Sequence, residues 1–302
     1  MKNYTLNTLS VCLSAVFAFL SISCTNGEHK KDEAREVNPE PAASVNFPYN
    51  LDAPEQYNMP SRLFEISGIT FLNGDPKKLY AIQDEDGDLF QLALGDKSAQ
   101  STRFGTNGDY EDLAILKNEV IILKSNGELF SFPIDEAGKK EASNVVKTKD
   151  LVPKAEYEGL AADEKTGLVY LLSKDSKANS KDKETTIYAF KYEAGGKFTA
   201  AGEFSLSYKD ISKISGEDKL KFRPSALTKN QSTGEWYILS SMNKLLLVTD
   251  AEFKIKASYP LKGKNFNQPE GIAFDRDQNL YISNEGGTLS AGNVLMFKKN
   301  AP

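Results

Sequence analysis

The chain has 302 residues, a formal net charge of −5 and 40% hydrophobic residues, enough to bury a sizeable core. The weak negative charge leaves no basic footprint for a phosphate backbone, so no nucleic-acid partner is expected. Its two cysteines, Cys12 and Cys24, and its single histidine, His29, all precede the folding part. The globular region therefore offers no disulfide, thiolate nucleophile, histidine base or Cys/His zinc site.

Lys2 precedes an apolar stretch, Leu9–Leu20, too short for a comfortable transmembrane span. It runs into Leu20-Ser21-Ile22-Ser23-Cys24, small residues before a cysteine, which resembles a bacterial lipobox. Residues 1–23 then read as a signal peptide, with Cys24 as the lipidation site and membrane anchor. The alternative is an ordinary cleaved signal with an incidental cysteine. Residues 24–45 are charged and proline-bearing, with too little apolar content to pack, and read as a tether. The run Lys30-Lys31-Asp32-Glu33 is similar to the surface-export signal of Bacteroidetes lipoproteins, against the alternative of a charged linker facing the periplasm. The expected location is an outer-membrane lipoprotein facing the periplasm or the cell surface.

From residue 46 to 302 the sequence repeats. Segments opening at Glu65, Glu111, Glu158, Arg223 and Glu270 align, at a spacing of about 46 residues with one longer interval. Each shows three short apolar runs rich in β-branched and aromatic residues, as in Glu111–Ile115, Val120–Lys124 and Gly127–Phe132. Turn dipeptides such as Asn73-Gly74 and Asn126-Gly127 separate them. A more polar fourth run follows, for example Ser98–Phe104 or Lys254–Leu261. Four antiparallel strands per unit predict an all-β fold, a single β-propeller of five blades, with a divergent sixth as the alternative. The long interval holds two polar insertions, Asp175–Glu184 and Lys209–Lys219, that read as surface loops. The last repeat stops after its third strand, and an open edge there would invite aggregation. The apolar segment Phe47–Asp52 is the expected closing strand.

Several motifs carry a family resemblance: Glu65-Ile66-Ser67-Gly68, Gly108-Asp109-Tyr110-Glu111-Asp112-Leu113, Tyr157-Glu158-Gly159-Leu160, Phe222-Arg223-Pro224-Ser225, Gln268-Pro269-Glu270-Gly271-Ile272 and Tyr281-Ile282-Ser283-Asn284-Glu285-Gly286. Together they resemble the SdiA-regulated family of bacterial propellers, near the NHL and gluconolactonase-like propellers. The resemblance implies a propeller on an exported or lipoprotein chain and supplies no reaction.

In a propeller the innermost strands start at the central channel. Glu65, Glu111, Glu158, Arg223 and Glu270 are therefore expected in one ring, with Asp84, Lys124, Lys174, Ser241, Asn284 and Glu285 at the same mouth. The excess of carboxylates over Lys124, Lys174 and Arg223 calls for protons, pairing or a cation. One reading is Ca²⁺ held by Glu65, Asp84, Glu270, Asn284 and Glu285, as related propellers hold calcium in the channel. The other is an internal network in which the three basic residues pair with the glutamates and key adjacent blades. No catalytic residue stands out. Two functions follow: a binding or scaffold module at the envelope for a protein or small-molecule ligand, or a calcium-dependent hydrolase using a metal-bound water.

Overall fold

The computed structural model describes residues 47–175, 183–193 and 195–300; Cys24, with the expected signal and tether, lies outside them. Twenty strands form five four-stranded antiparallel sheets, the blades of a β-propeller. Blade one contains β2 (Ile66–Phe71), β3 (Leu79–Gln83), β4 (Asp88–Leu92) and β5 (Gln100–Arg103). Blade two contains β6 (Tyr110–Leu116), β7 (Glu119–Lys124), β8 (Leu129–Pro133) and β9 (Val146–Thr148). Blade three contains β10 (Tyr157–Asp163), β11 (Leu168–Ser173), β12 (Glu184–Glu193) and β13 (Lys197–Ser207). Blade four contains β14 (Ala226–Lys229), β15 (Trp236–Ser240), β16 (Leu245–Thr249) and β17 (Ile255–Pro260). Blade five contains β18 (Pro269–Phe274), β19 (Leu280–Asn284) and β20 (Asn293–Phe297), and is completed by β1 (Glu55–Asn58).

Burial grades outward as expected of packed blades. In blade three the inner β10 is almost wholly buried, whereas the outer β13 is largely exposed. The core is five apolar clusters, one between each pair of neighbouring blades, and the cluster joining blades five and one closes the ring. Between blades three and four, the buried Trp236 stacks on Phe253 at a centroid distance of 4.8 Å.

The N-terminal segment does close the last blade, but with residues a little beyond Phe47–Asp52. Strand β1 pairs Glu55 with Met296 and Asn58 with Asn293. Phe47–Asp52 makes only an isolated bridge, Tyr49 to Lys299. Its apolar residues serve another purpose: Phe47 stacks on Tyr259 at 3.9 Å and Tyr49 is buried among blades four and five. An outermost strand faces water, so a polar run was the better signature for it. A second difference lies in Lys209–Lys219, expected as a loop. Tyr208–Ser215 is a helix, α1, capped by Ser207, whose hydroxyl accepts from the Asp210 amide, and ended by Gly216 at φ 74°. Tyr208 and Ile211 bury one face of it, so two turns suffice to hold it. The other insertion, Asp175–Glu184, lies mostly outside the described residues.

Candidate functional site: the carboxylate mouth

Four of the five inner strands carry a break in register near their start, and these breaks build the site. In blade two Tyr110 pairs with Lys124 and Asp112 with Leu123, leaving Glu111 as the extra residue. Glu158 is left out in the same way in blade three, and Glu270 in blade five. A bulge turns the extra side chain out of the pleat, and here three glutamates are turned toward the channel. In blade one the irregularity falls at Ser67-Gly68. Ser67 donates to the Glu111 carbonyl and Ser225 of blade four donates to the Pro269 carbonyl, each stitching its inner strand to the next blade.

The ring position is thus occupied by Ser67, Glu111, Glu158, Ser225 and Glu270. Glu65 and Arg223, expected in the ring, stand two residues upstream of it. The shared pattern was a small residue plus an aliphatic one, as in Gly68-Ile69, Gly159-Leu160 and Gly271-Ile272; aligning on those pairs would have located the bulge. The small residue matters because neighbouring inner strands approach closely. A Cβ on Gly271 would lie 2.4 Å from the Ser67 carbonyl oxygen, and one on Gly68 would lie 2.5 Å from Asp112 Oδ1.

Backbone bonds hold the turns after the second strands against the same mouth. Tyr110 N–H donates to the Asp84 carbonyl at 2.9 Å, Tyr157 N–H to Ser125 at 2.8 Å and Gly286 N–H to Phe64 at 2.7 Å. Asp84, Lys174 and Glu285 consequently join the glutamates. Lys174 Nζ pairs with Glu158 Oε1 at 2.5 Å and more loosely with Glu156 at 3.5 Å. Arg223 turns away, donating to Asp175 Oδ2 at 2.7 Å. Lys124 lies over the Tyr110 ring, 5.7 Å from its centroid. The internal pairing reading therefore accounts for Glu158 and not for the others.

The electrostatics follow. Burial, then Glu158 and Asp109, push the Glu111 carboxyl far above the usual range, with Lys174 opposing. Burial and the Glu285 charge raise Glu270 to about 8. Burial, Asp84 and Glu65 raise Glu285 to about 7. Burial and the neighbouring Glu65 and Glu85 raise Asp84 to about 6, and its Oδ1 is buried without a hydrogen-bond partner. Burial works against the Lys174 ammonium, yet Glu158 and Glu156 carry its pKa above the ordinary lysine value. Lys244, near Glu270, is held by the Asn267 carbonyl. The mouth is a set of crowded, partly desolvated carboxylates that outnumber its ammonium groups: it favours protons or an incoming cation and repels anions.

Of the five oxygen donors expected to hold Ca²⁺, Asp84 and Glu285 feel the charge of Glu65, and Glu270 feels that of Glu285. Asn284 donates within blade five to Asn293 Oδ1 at 3.2 Å, and its own Oδ1 is buried without a hydrogen-bond partner. Among the described residues no group of three or more His, Cys, Asp or Glu side chains lies close enough to hold a metal ion. Calcium takes six to eight oxygens, so the side chains as arranged do not fit its shell, and no step is derived through it.

The glutaminyl cyclase of Myxococcus xanthus superposes on 81% of this chain and 94% of its own, with a TM-score of 0.55 at 15% identity. A calcium-binding regucalcin of Agrobacterium tumefaciens covers 82% of this chain and 95% of its own, with a TM-score of 0.49 at 12% identity. The likeness to the glutaminyl cyclase, at 15% identity, shows the propeller fold alone. No curated protein sequence matches the chain. The SdiA-regulated family model matches residues 43–288, most of the sequence and nearly all of the propeller, and the chain belongs to that family.

Proposed function

We propose that this propeller is a binding module of the cell envelope, tethered through a lipid on Cys24, whose carboxylate mouth takes a cationic ligand. One observation carries the reading. Asp84, Glu111, Glu270 and Glu285 crowd one mouth, while Lys174 is engaged by Glu158 and Lys244 by the Asn267 carbonyl. A ligand ammonium or guanidinium would replace the protons these groups otherwise hold. The exposed apolar residues support an organic cation over a bare ion. Phe64 adjoins Glu65, Met242 adjoins Ser241 and Leu289 follows Glu285 in the same loop, and all three side chains are exposed. A basic segment with apolar neighbours would use both features.

Thermal denaturation of the full chain tests this. A short Lys- and Leu-containing peptide is expected to raise the melting temperature, less so at high salt, whereas its Glu-containing counterpart leaves it unchanged. Glu111→Gln with Glu270→Gln is expected to remove most of the shift. A response to millimolar Ca²⁺ and not to the peptide would favour the ion, and turnover of esters or lactones would favour a hydrolase. No response to any cation would sink the reading. For the anchor, Cys24→Ser is expected to move the protein from the membrane fraction to the soluble one; unchanged fractionation would count against lipidation.

A further inference from the structure

Three loops of blades four and five meet beside the carboxylate mouth. The loop 261–268 links the two blades and is pinned by the buried Phe266, whose ring stacks on Phe297 at 6.0 Å. At its end Gln268 Nε2 donates to Glu285 Oε2 at 2.6 Å. Lys244, in the turn after β15, donates to the Asn267 carbonyl of the same loop. The loop after β19 runs against that residue as well, since a Cβ on Gly287 would lie 2.9 Å from Asn267 Nδ2.

Each of these loops raises side chains that the fold does not use. Met242 is 67% exposed and Leu289 is 99% exposed. Lys262 and Lys264 are exposed, and neither has an ion-pair partner among the described residues. Apolar side chains standing clear of the surface beside unpaired lysines suit a membrane interface, where the first enter the acyl boundary and the second meet phosphates. The path of the chain brings a membrane to this place. Phe47, the first described residue, stacks at 3.9 Å on Tyr259, which stands just before the loop 261–268. Residues 25–46 therefore join Cys24 to the flank of blades four and five, beside this rim. The charges at the rim come in both signs. The Glu270 charge acts on Lys244, and the lysine ammonium has N–H groups to spare beyond its bond to Asn267. Carboxylates for a cation next to lysines for an anion match the charge order of a zwitterionic headgroup.

We propose, resting on the reading of an anchored chain with a cation-binding mouth, that the cation is the ammonium headgroup of an aminophospholipid in the membrane that holds Cys24. The ammonium would enter at Glu270 and Glu285, and the phosphate would meet Lys244, Lys262 and Lys264. Met242 and Leu289 would enter the acyl boundary. The contact turns the mouth toward the lipid surface. It is weak without the anchor, so Cys24→Ser still fractionates as soluble at the dilution of a cell extract.

Vesicle co-sedimentation of the full chain carrying Cys24→Ser, at millimolar lipid, tests the proposal. Vesicles of phosphatidylcholine with phosphatidylethanolamine are expected to bring the protein down. Phosphatidylcholine alone, whose quaternary ammonium has no N–H to donate, should bind about tenfold more weakly. Phosphatidylglycerol in place of the ethanolamine lipid supplies the phosphate without an ammonium and should do no better than phosphatidylcholine alone. Met242→Glu with Leu289→Glu, both at exposed positions, should abolish sedimentation. Lys262→Glu with Lys264→Glu should abolish it too, while leaving the melting-temperature response to the basic peptide in place. The proposal is overturned if the ethanolamine vesicles bind no better than the other two, or if either double variant sediments as before. A peptide response without sedimentation also overturns it, but spares the cation-binding mouth and assigns it to a basic protein segment. Absence of both responses takes the mouth reading down as well.

Discussion

Lys174 Nζ and Glu158 Oε1 lie 2.5 Å apart, joining the turn after β11 to the bulge in β10 of the same blade. Glu158 is nearly buried, with 7% of its side chain exposed, so it depends on this partner for its charge. Lys174→Met should therefore destabilise the fold by about 1–3 kcal/mol. This is less than for a fully buried pair, because Lys174 keeps 31% of its side chain exposed. Adding Glu158→Gln to that variant should recover part of the loss, because the orphaned charge is then gone. Urea denaturation of the two single variants and the double variant measures the coupling, and strictly additive effects would show that the pair does not act as one.

The raised carboxyls set a pH dependence whose sign is fixed. Glu270 and Glu285 have folded-state values of about 8 and about 7, against 4.5 for an unperturbed glutamate. Between those limits the folded state binds more protons than the unfolded one, so stability falls as pH rises. Below pH 4.5 both states are protonated and the penalty is absent; above the folded values it is complete and constant. Melting temperature should thus decline from about pH 5 to pH 8, with each group contributing up to about 1.4 kcal/mol per pH unit. Glu270→Gln should flatten the profile. A cationic ligand must displace those protons, so its affinity should rise over the same interval.

Most of the ring was legible because its periodicity is a property of strands: apolar runs in threes, turn dipeptides between them, and a recurring motif at each inner strand. The bulges were not legible. A register break is set by how two strands pair, and Glu111 reads in sequence like any strand residue beside Tyr110 and Asp112. The same limit explains why Glu65 and Arg223 were placed in a ring that Ser67 and Ser225 occupy, and why Arg223 was matched with glutamates when Asp175 is its partner.

Asp112 and Gly68 form a lock between blades one, two and three. Asp112 is 2% exposed; its Oδ1 accepts from its neighbour Leu113 N–H, and its Oδ2 accepts from Leu160 N–H of blade three, both at 2.8 Å. Gly68 of blade one leaves room for that carboxylate, since an added Cβ would sit 2.5 Å from Oδ1 and 2.7 Å from the Asp112 Cα. Gly68→Ala should cost about 1–3 kcal/mol by overpacking, as the nearby atoms include backbone that cannot swing aside. Asp112→Ala should cost a comparable amount by leaving the Leu160 amide unpaired. Thermal melts of both should show earlier unfolding with unchanged strand content at low temperature. A melting temperature equal to that of the parent for Gly68→Ala would mean that the two inner strands separate freely enough to admit a methyl group.

Ring closure separates into two contributions that truncation can resolve. Removing the chain through Pro54 takes away Phe47 and Tyr49 but leaves β1, so blade five keeps its fourth strand. The loss is mainly apolar, the Phe47 ring on Tyr259 and the burial of Tyr49, with one hydrogen bond from the Tyr49 hydroxyl to the Gln278 carbonyl at 2.8 Å. That variant should melt earlier yet keep the parent's oligomeric state. Removing the chain through Asn58 also takes away the partner of β20, whose residues Asn293–Phe297 are all buried in the intact ring. A newly bared apolar strand edge is a template for pairing with another chain, so this variant should self-associate. Size-exclusion chromatography at several concentrations distinguishes the two. Equal behaviour of both truncations would assign closure to the aromatic residues and leave β1 with no separate role.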